Sequence, residues 1–134
     1  MLSINECKAI YLLSVEEQAC KGNIEAAKRY LDAGDVEGFE RVCRGNVDWL
    51  KRKSISYILT PGMAENWYDN GFLRRRGFYV NGKVEGVIET WHENGVLRCK
   101  YSCIDDKAEG LYEEWNSDGY LVKTRTYLNG AIQN

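Results

Sequence analysis

From Gly62 onward the sequence repeats every 24 residues, and no other feature of the chain constrains its fold so tightly. Trp67, Trp91 and Trp115 are in phase, as are Gly62, Gly86 and Gly110. Gly71, Gly95 and Gly119 keep the register, each followed two positions later by Leu73, Leu97 and Leu121. A further column holds Tyr79, Cys103 and Tyr127, and another Gly82, Asp106 and Gly130. A unit this short cannot bury its own apolar face, so a chain built from it must stack one copy on the next.

Each unit reads as a β-hairpin. Gly86-Val87-Ile88-Glu89-Thr90-Trp91 is rich in β-branched and aromatic residues, as strands are. His92-Glu93-Asn94-Gly95 then supplies a turn in which Asn-Gly accepts positive φ, and Asn70-Gly71 and Asp118-Gly119 are its counterparts. Val96 to Tyr101 reads as the return strand. Asn81-Gly82 and Asn129-Gly130 form a second turn leading to the next unit. Its middle copy, Asp105-Asp106, lacks the glycine, so a different local conformation is expected there.

The pattern Gly-x4-Trp-x3-Gly-x-Leu, with Tyr and Asn-Gly following, resembles the MORN repeat in its bacterial variant form over residues 62 to 134. The expected fold is therefore α+β. A cap of short helices over residues 1–60 precedes three stacked hairpins over 61–134, which form an antiparallel, single-layer curved sheet.

The first sixty residues have a different rhythm. Gly22-Asn23-Ile24-Glu25, Gly34-Asp35-Val36-Glu37 and Gly45-Asn46-Val47-Asp48 each read as a helix stop followed at once by a helix start. Ala26, Ala27, Tyr30 and Leu31, then Phe39 and Val42, then Trp49 and Leu50 give each short helix one apolar stripe. An earlier helix runs through Cys7, Ile10, Tyr11 and Ala19, with Ser3…Glu6 and Ser14…Glu17 as alternative capping boxes. Ile55, Tyr57 and Leu59 alternate as a short strand would, and Pro61 marks a turn into the repeats.

The balance of residue types narrows the chemistry. Formal charge is −2, which gives no bulk electrostatic case for nucleic acid or an anionic membrane. No apolar run approaches a membrane span and no basic leader opens the chain, so a cytoplasmic protein is expected. Five scattered cysteines (Cys7, Cys20, Cys43, Cys99, Cys103) suit reduced thiols better than a disulfide framework. Cys99 and Cys103 with His92 make a poor metal set, since structural zinc usually takes four ligands; no metal or cofactor is expected. His92, the only histidine, shares its column with Tyr68 and Asn116, which reads as a surface position of relaxed demands rather than a general base. Glu109, Glu113, Glu114 and Asp118 read as solvent-facing, and the tryptophan column as a hydrophobic spine. No catalytic residue emerges, and an enzyme is not expected.

Candidate binding residues follow from what varies. Arg74-Arg75-Arg76 becomes Arg98-Cys99-Lys100 and then Val122-Lys123-Thr124, a gradient of falling basicity suited to docking a complementary protein. Tyr68, His92, Asn116 and Tyr120 join the triplet as expected partner contacts. The resemblance implies a non-catalytic protein-binding role, because bacterial MORN-variant proteins are often antitoxin or immunity proteins. A phage-encoded inhibitor of a host defence factor would suit the same features. Phospholipid contact or scaffolding, linked to MORN arrays in eukaryotic proteins, is the alternative. A homodimer through the C-terminal hairpin edge, near Tyr127 to Ile132, is a further expectation.

Overall fold

Three helices precede seven strands in the computed structural model, which describes residues 2–16, 19–46, 61–80 and 83–133. The fold class is α+β. The helices are α1 (Ile4–Glu16), α2 (Lys21–Asp32) and α3 (Val36–Gly45). The strands are β1 (Gly62–Trp67), β2 (Leu73–Val80), β3 (Lys83–Trp91), β4 (Leu97–Ile104), β5 (Lys107–Trp115), β6 (Leu121–Leu128) and β7 (Ala131–Gln133). They form one open sheet in sequence order, with every neighbouring pair antiparallel. No helix among the described residues is long and apolar enough to cross a membrane.

The first of the two capping boxes opens α1. The Ser3 amide donates to Glu6 Oε1 at 2.9 Å and the Glu6 amide donates to Ser3 Oγ at 3.1 Å. These bonds, the one from the Ser3 amide foremost, hold the Glu6 carboxyl below its usual range. Ser14 lies inside α1, where its hydroxyl donates to the Tyr11 carbonyl at 2.7 Å. Glu17 lies outside the described residues, as do Val47 to Leu50 and the expected strand at Ile55, Tyr57 and Leu59.

One helix junction behaves as its spacing suggests, one does not, and the start expected after Gly45 lies outside the described residues. Gly34 takes φ 72°, and the Asp35 side chain accepts from the Gly38 amide at 2.9 Å to open α3. Gly22 and Asn23 instead lie within the first turn of α2, both buried. The reason is β1. A Cβ at Gly22 would overlap the Tyr68 carbonyl, and one at Gly45 would overlap the Glu65 carbonyl. Both glycines serve close approach of helix to strand, and Gly45 is also the last residue of α3. Asn23 is a bridge rather than a cap: its Oδ1 accepts from the Trp67 amide at 2.8 Å and its Nδ2 donates to Asn46 Oδ1 at 3.1 Å.

Phe39, Ala26, Ala27, Val42, Cys43, Cys7 and Leu2 form the helical core, against which Trp67 packs. Two buried carboxylates tie this core to β1. Glu65, 7% exposed, accepts from Tyr30 Oη at 2.7 Å and from Arg41 Nε at 3.3 Å. Glu40 pairs with Arg44 at 3.2 Å, and Arg44 Nη1 donates to the Met63 carbonyl at 3.1 Å. Each buried charge thus has an opposite charge in contact, without which its desolvation would be prohibitive.

The sequence columns reappear as strand register. Trp67 pairs with Leu73, Trp91 with Leu97 and Trp115 with Leu121, each beside an irregularity in the ladder. Gly62, Gly86 and Gly110 face Tyr79, Cys103 and Tyr127. The turns repeat too. Gly71, Gly95 and Gly119 hold φ of 92°, 90° and 91°, a conformation that excludes most L-residues.

Two expectations are corrected. Asp105 and Asp106 take φ of 50° and 71°, close to the 52° and 87° of Asn129 and Gly130, so the missing glycine does not change the turn. Bonds at the site offset the strain: Asp106 Oδ1 accepts from the Val84 amide at 3.2 Å, and the Asp105 amide donates to Glu85 Oε1 at 2.6 Å. Nor is the tryptophan column the spine of the sheet. The sheet core is Val84, Ile88 and Cys103, flanked by Tyr79 and Tyr101, with Ile88 wholly buried above Gly77. Tyr101, Tyr112 and Tyr127 extend it as a row with ring centroids 5.3 and 5.9 Å apart. The tryptophans stay partly exposed, Trp67 under the Arg29 guanidinium at 5.1 Å and Trp91 under that of Arg76 at 5.4 Å.

Candidate interaction surface

Tyr68, His92 and Asn116 open the three long turns, and the first two are connectors. Tyr68 Oη donates to the Trp91 carbonyl at 2.7 Å. One repeat later, His92 Nε2 lies 2.8 Å from the Trp115 carbonyl. A carbonyl only accepts, so Nε2 carries the proton. Asn70 Nδ2 donates to the Glu93 carbonyl at 2.6 Å and Asn94 Nδ2 to the Ser117 carbonyl at 2.9 Å. Each turn is therefore pinned to the next by two side-chain donors. The column read as a permissive surface is a structural one, tolerant only of residues that reach and donate.

The last turn departs from this pattern. Asn116 Oδ1 accepts from the amides of its own turn, Asp118 and Tyr120, both at 3.0 Å. Asp118 stands where Asn70 and Asn94 donate, and a carboxylate has nothing to donate. At this position the Asp118 carboxylate has no donor, and the bonds of Asn116 stay within its own turn.

The arginine triplet is split by the pleat. Arg75 faces Asn66 and Thr90 across the ladder, while Arg76 faces Glu65 and Glu89, so successive arginines point to opposite sides of the sheet. Arg74 stacks on the Tyr68 ring at 5.8 Å, and the two line a cleft of about 600 Å³ with Cys20, Trp67, Asp69 and Glu93. Arg76 Nη2 bonds Glu89 at 2.9 Å. Across the whole sheet, Glu65, Arg76, Glu89, Lys100, Glu113 and Thr124 stand opposite one another in turn. Along this row basicity falls as expected, from Arg76 to Lys100 to the uncharged Thr124, and each basic residue is interleaved with acid. Arg75, on the other face, has its Nε buried without a hydrogen-bond partner.

Apart from Cys20, which is exposed, the remaining cysteines are buried and two of the glutamates accept hydrogen bonds. Cys7, Cys43, Cys99 and Cys103 are buried, and burial pushes the Cys7 and Cys103 thiols up, away from thiolate. Glu109 Oε2 accepts from the Asn129 amide at 2.6 Å. Glu114 accepts from Tyr112 Oη at 3.1 Å and lies 3.8 Å from Lys123. Burial first, then Cys99 and Glu114, push the Tyr112 phenol far above its ordinary range. These glutamates are partly buried structural acceptors rather than freely solvated groups.

Exposed apolar residues are most numerous at the far end of the sheet, although Leu12 and Ile104 are exposed elsewhere. Leu111, Leu121, Val122, Leu128 and Ile132 are 51–58% exposed, and Tyr120 is 72% exposed. β7 pairs only with Thr126 to Leu128, so the outer edge of β6 from Leu121 to Arg125 has no strand partner among the described residues. Where β6 passes β7, Leu111, Thr124, Arg125, Thr126, Ile132 and Gln133 line a cleft of about 470 Å³. Of the residues singled out by sequence, Tyr120 falls here; Tyr68 and Arg74 fall together near the cap, and the others are apart. The missed residues carried one signal, the break at Asn116 and Asp118 in columns otherwise filled by outward donors.

No family model matches this chain, and no curated protein or solved structure matches it.

Proposed function

We propose that this protein is a non-catalytic binding module built from MORN-like hairpin repeats, which docks on another protein and blocks it as an antitoxin, an immunity protein or a phage-encoded inhibitor would. The observation that carries the reading is the uncovered apolar end of the sheet. Five aliphatic side chains, each more than half exposed, lie on the last three strands, two of them (Leu121 and Val122) on the unpaired stretch of β6. Apolar surface gathered in this way on a soluble domain marks an interaction site. Engagement of His92 and Glu114 in hydrogen bonds within the fold supports a binding role over a catalytic one. The division of the arginine triplet between two faces, with Arg76 held by Glu89, argues against a lipid headgroup as the main target.

Affinity capture from native host extract should recover one stoichiometric protein. Leu121→Asp with Leu128→Asp should abolish capture while leaving circular dichroism and melting unchanged. Capture that survives this pair but fails with Arg74→Glu and Arg76→Glu would move the site to the cleft beside the cap. Co-sedimentation with anionic liposomes at low salt, without any captured protein, would replace the reading with lipid binding.

A further inference from the structure

We infer that the open end takes an extended acidic segment of the partner, added to the outer edge of β6 at Leu121–Arg125 and running end to end with β7. The inference rests on the protein-binding reading above and names the chemistry of what binds.

The sheet itself supplies the template. On the outer side of β2, the incoming β3 places Thr90 opposite Arg75 and Glu89 opposite Arg76. On the outer side of β4, the incoming β5 places Glu114 opposite Cys99 and Glu113 opposite Lys100. The repeat spacing makes Lys123 and Thr124 of β6 the counterparts of those positions. A strand seated there with the side chains of β5 brings carboxylates opposite a lysine and a threonine; one with those of β3 brings a carboxylate opposite the threonine only.

The cations at this edge are under-matched. Lys123 has only Glu114, at 3.8 Å. Arg125 stands opposite Tyr112 and bonds the neighbouring Thr124 carbonyl at 2.9 Å, with no carboxylate partner among the described residues. By contrast, Arg76 lies between Glu65 and Glu89, and Lys100 between Glu89 and Glu113. The free stretch of β6 carries Lys123 and Arg125 and no acid. Antiparallel pairing of two such edges about residue 123, 124 or 125 would set lysine or arginine against its like, which is destabilising. Cations on an edge strand discourage self-pairing, so the complement is an acidic strand from a different protein rather than a second copy. Leu111 and Ile132, in the wall of the cleft, offer apolar contact to a side chain of the incoming strand.

The turn at Asn116 and Asp118, whose side-chain bonds stay within it, fits the same occupant. Interior hairpins are pinned through their turns as well as their strands. A partner joined here is held by the ladder alone, which suits reversible strand addition.

The test uses a blocked peptide with the sequence of Gly110–Trp115, the part of β5 that lies one repeat before the free stretch; the preceding Lys107–Glu109 would fall where β7 already pairs. Titration calorimetry should show binding to the full chain, with amide shifts confined to residues 120–133. Lys123→Glu with Arg125→Glu should weaken it about tenfold or more. A peptide carrying Glu113→Lys and Glu114→Lys should show the reverse preference, weak on the natural chain and restored on the charge-reversed one. Equal affinity for both proteins, shifts elsewhere, or no binding at about 1 mM peptide, the weak end of measurable affinity, would overturn the inference. Partner capture that still depends on Leu121 and Leu128 would then leave the docking reading standing without strand addition. Loss of that dependence would remove the docking reading itself.

Discussion

The sheet has two edges, and the chain treats them in opposite ways. β1 is closed off by α2 and α3: Asn23 takes the Trp67 amide, Asp69 takes the Gly22 amide at 2.9 Å, and Glu65 is buried under Tyr30 and Arg41. At the other edge nothing comparable covers β6 or β7 among the described residues, and nearly every residue of both strands is exposed. A hairpin array has the same problem at each end, since unpaired amides and carbonyls invite pairing. Here a helical module answers it at one end, and at the other only Lys123, Arg125 and the altered turn at Asn116 and Asp118 do. The first edge anchors the fold. The second stays accessible, which is what a binding surface requires.

The contrast breaks most sharply on stability. Phe39→Ala, in the core that covers β1, should cost about 3–5 kcal/mol in urea unfolding. Leu121→Ala, at the open end, should cost within about 0.5 kcal/mol. Comparable losses at the two sites would mean that the open end is covered in solution.

A smaller effect should separate interior turns from the last one. Tyr68→Phe removes the bond to the Trp91 carbonyl and should cost about 1 kcal/mol. Native-state hydrogen exchange should then quicken in both the first and second hairpins. Asn116→Ala should quicken exchange only within its own turn, because its bonds go no further.

The smallest expected effect is a pH dependence. Burial raises the Tyr101 and Tyr112 phenols above their unfolded value. A raised phenol contributes stability that is present in full below about pH 10 and is lost as pH rises from there toward the folded value. Tyr112→Phe should therefore flatten the fall in the urea midpoint between about pH 9 and about pH 11. An unchanged slope would place the tyrosine row in water, and with it the distinction between a packed interior and an open end.

Much of this was legible in the sequence, and what was not follows a physical rule. The repeat columns became strand register because hairpin pairing is local: Trp91 meets Leu97 only six residues on. Ser3 with Glu6, and Gly34 with Asp35, acted as read because a cap involves only its own turn. Gly22-Asn23 has nearly the same composition as Gly34-Asp35, yet β1 lies against it, and spacing within a helix says nothing about that. His92 misled for a similar reason, since its partner is a backbone carbonyl one repeat away. Asp105-Asp106 shows that a turn can hold its shape without the usual glycine when side chains accept the freed amides. The arginine triplet looked like one patch because a sequence runs along a strand while charge pairs form across it. Tyr120 was singled out in the sequence and is exposed; the leucines and valine around it were not, because a strand's own sequence does not say whether its neighbour is present.

The alternating charge row bears on how such a chain changes over generations. Excising residues 87–110, one whole repeat, would set Glu113 opposite Arg76 in place of Glu89, and the sign would be unchanged. Tyr68 would meet the carbonyl of Trp115 instead of that of Trp91, and Asn70 that of Ser117. Duplication of a repeat preserves the same matches. A single inserted residue, by contrast, turns every later side chain to the other face and sets charges against the tyrosine row. The interior therefore keeps no count of its own members: copies can be gained or lost in steps of 24 while selection acts on the two ends.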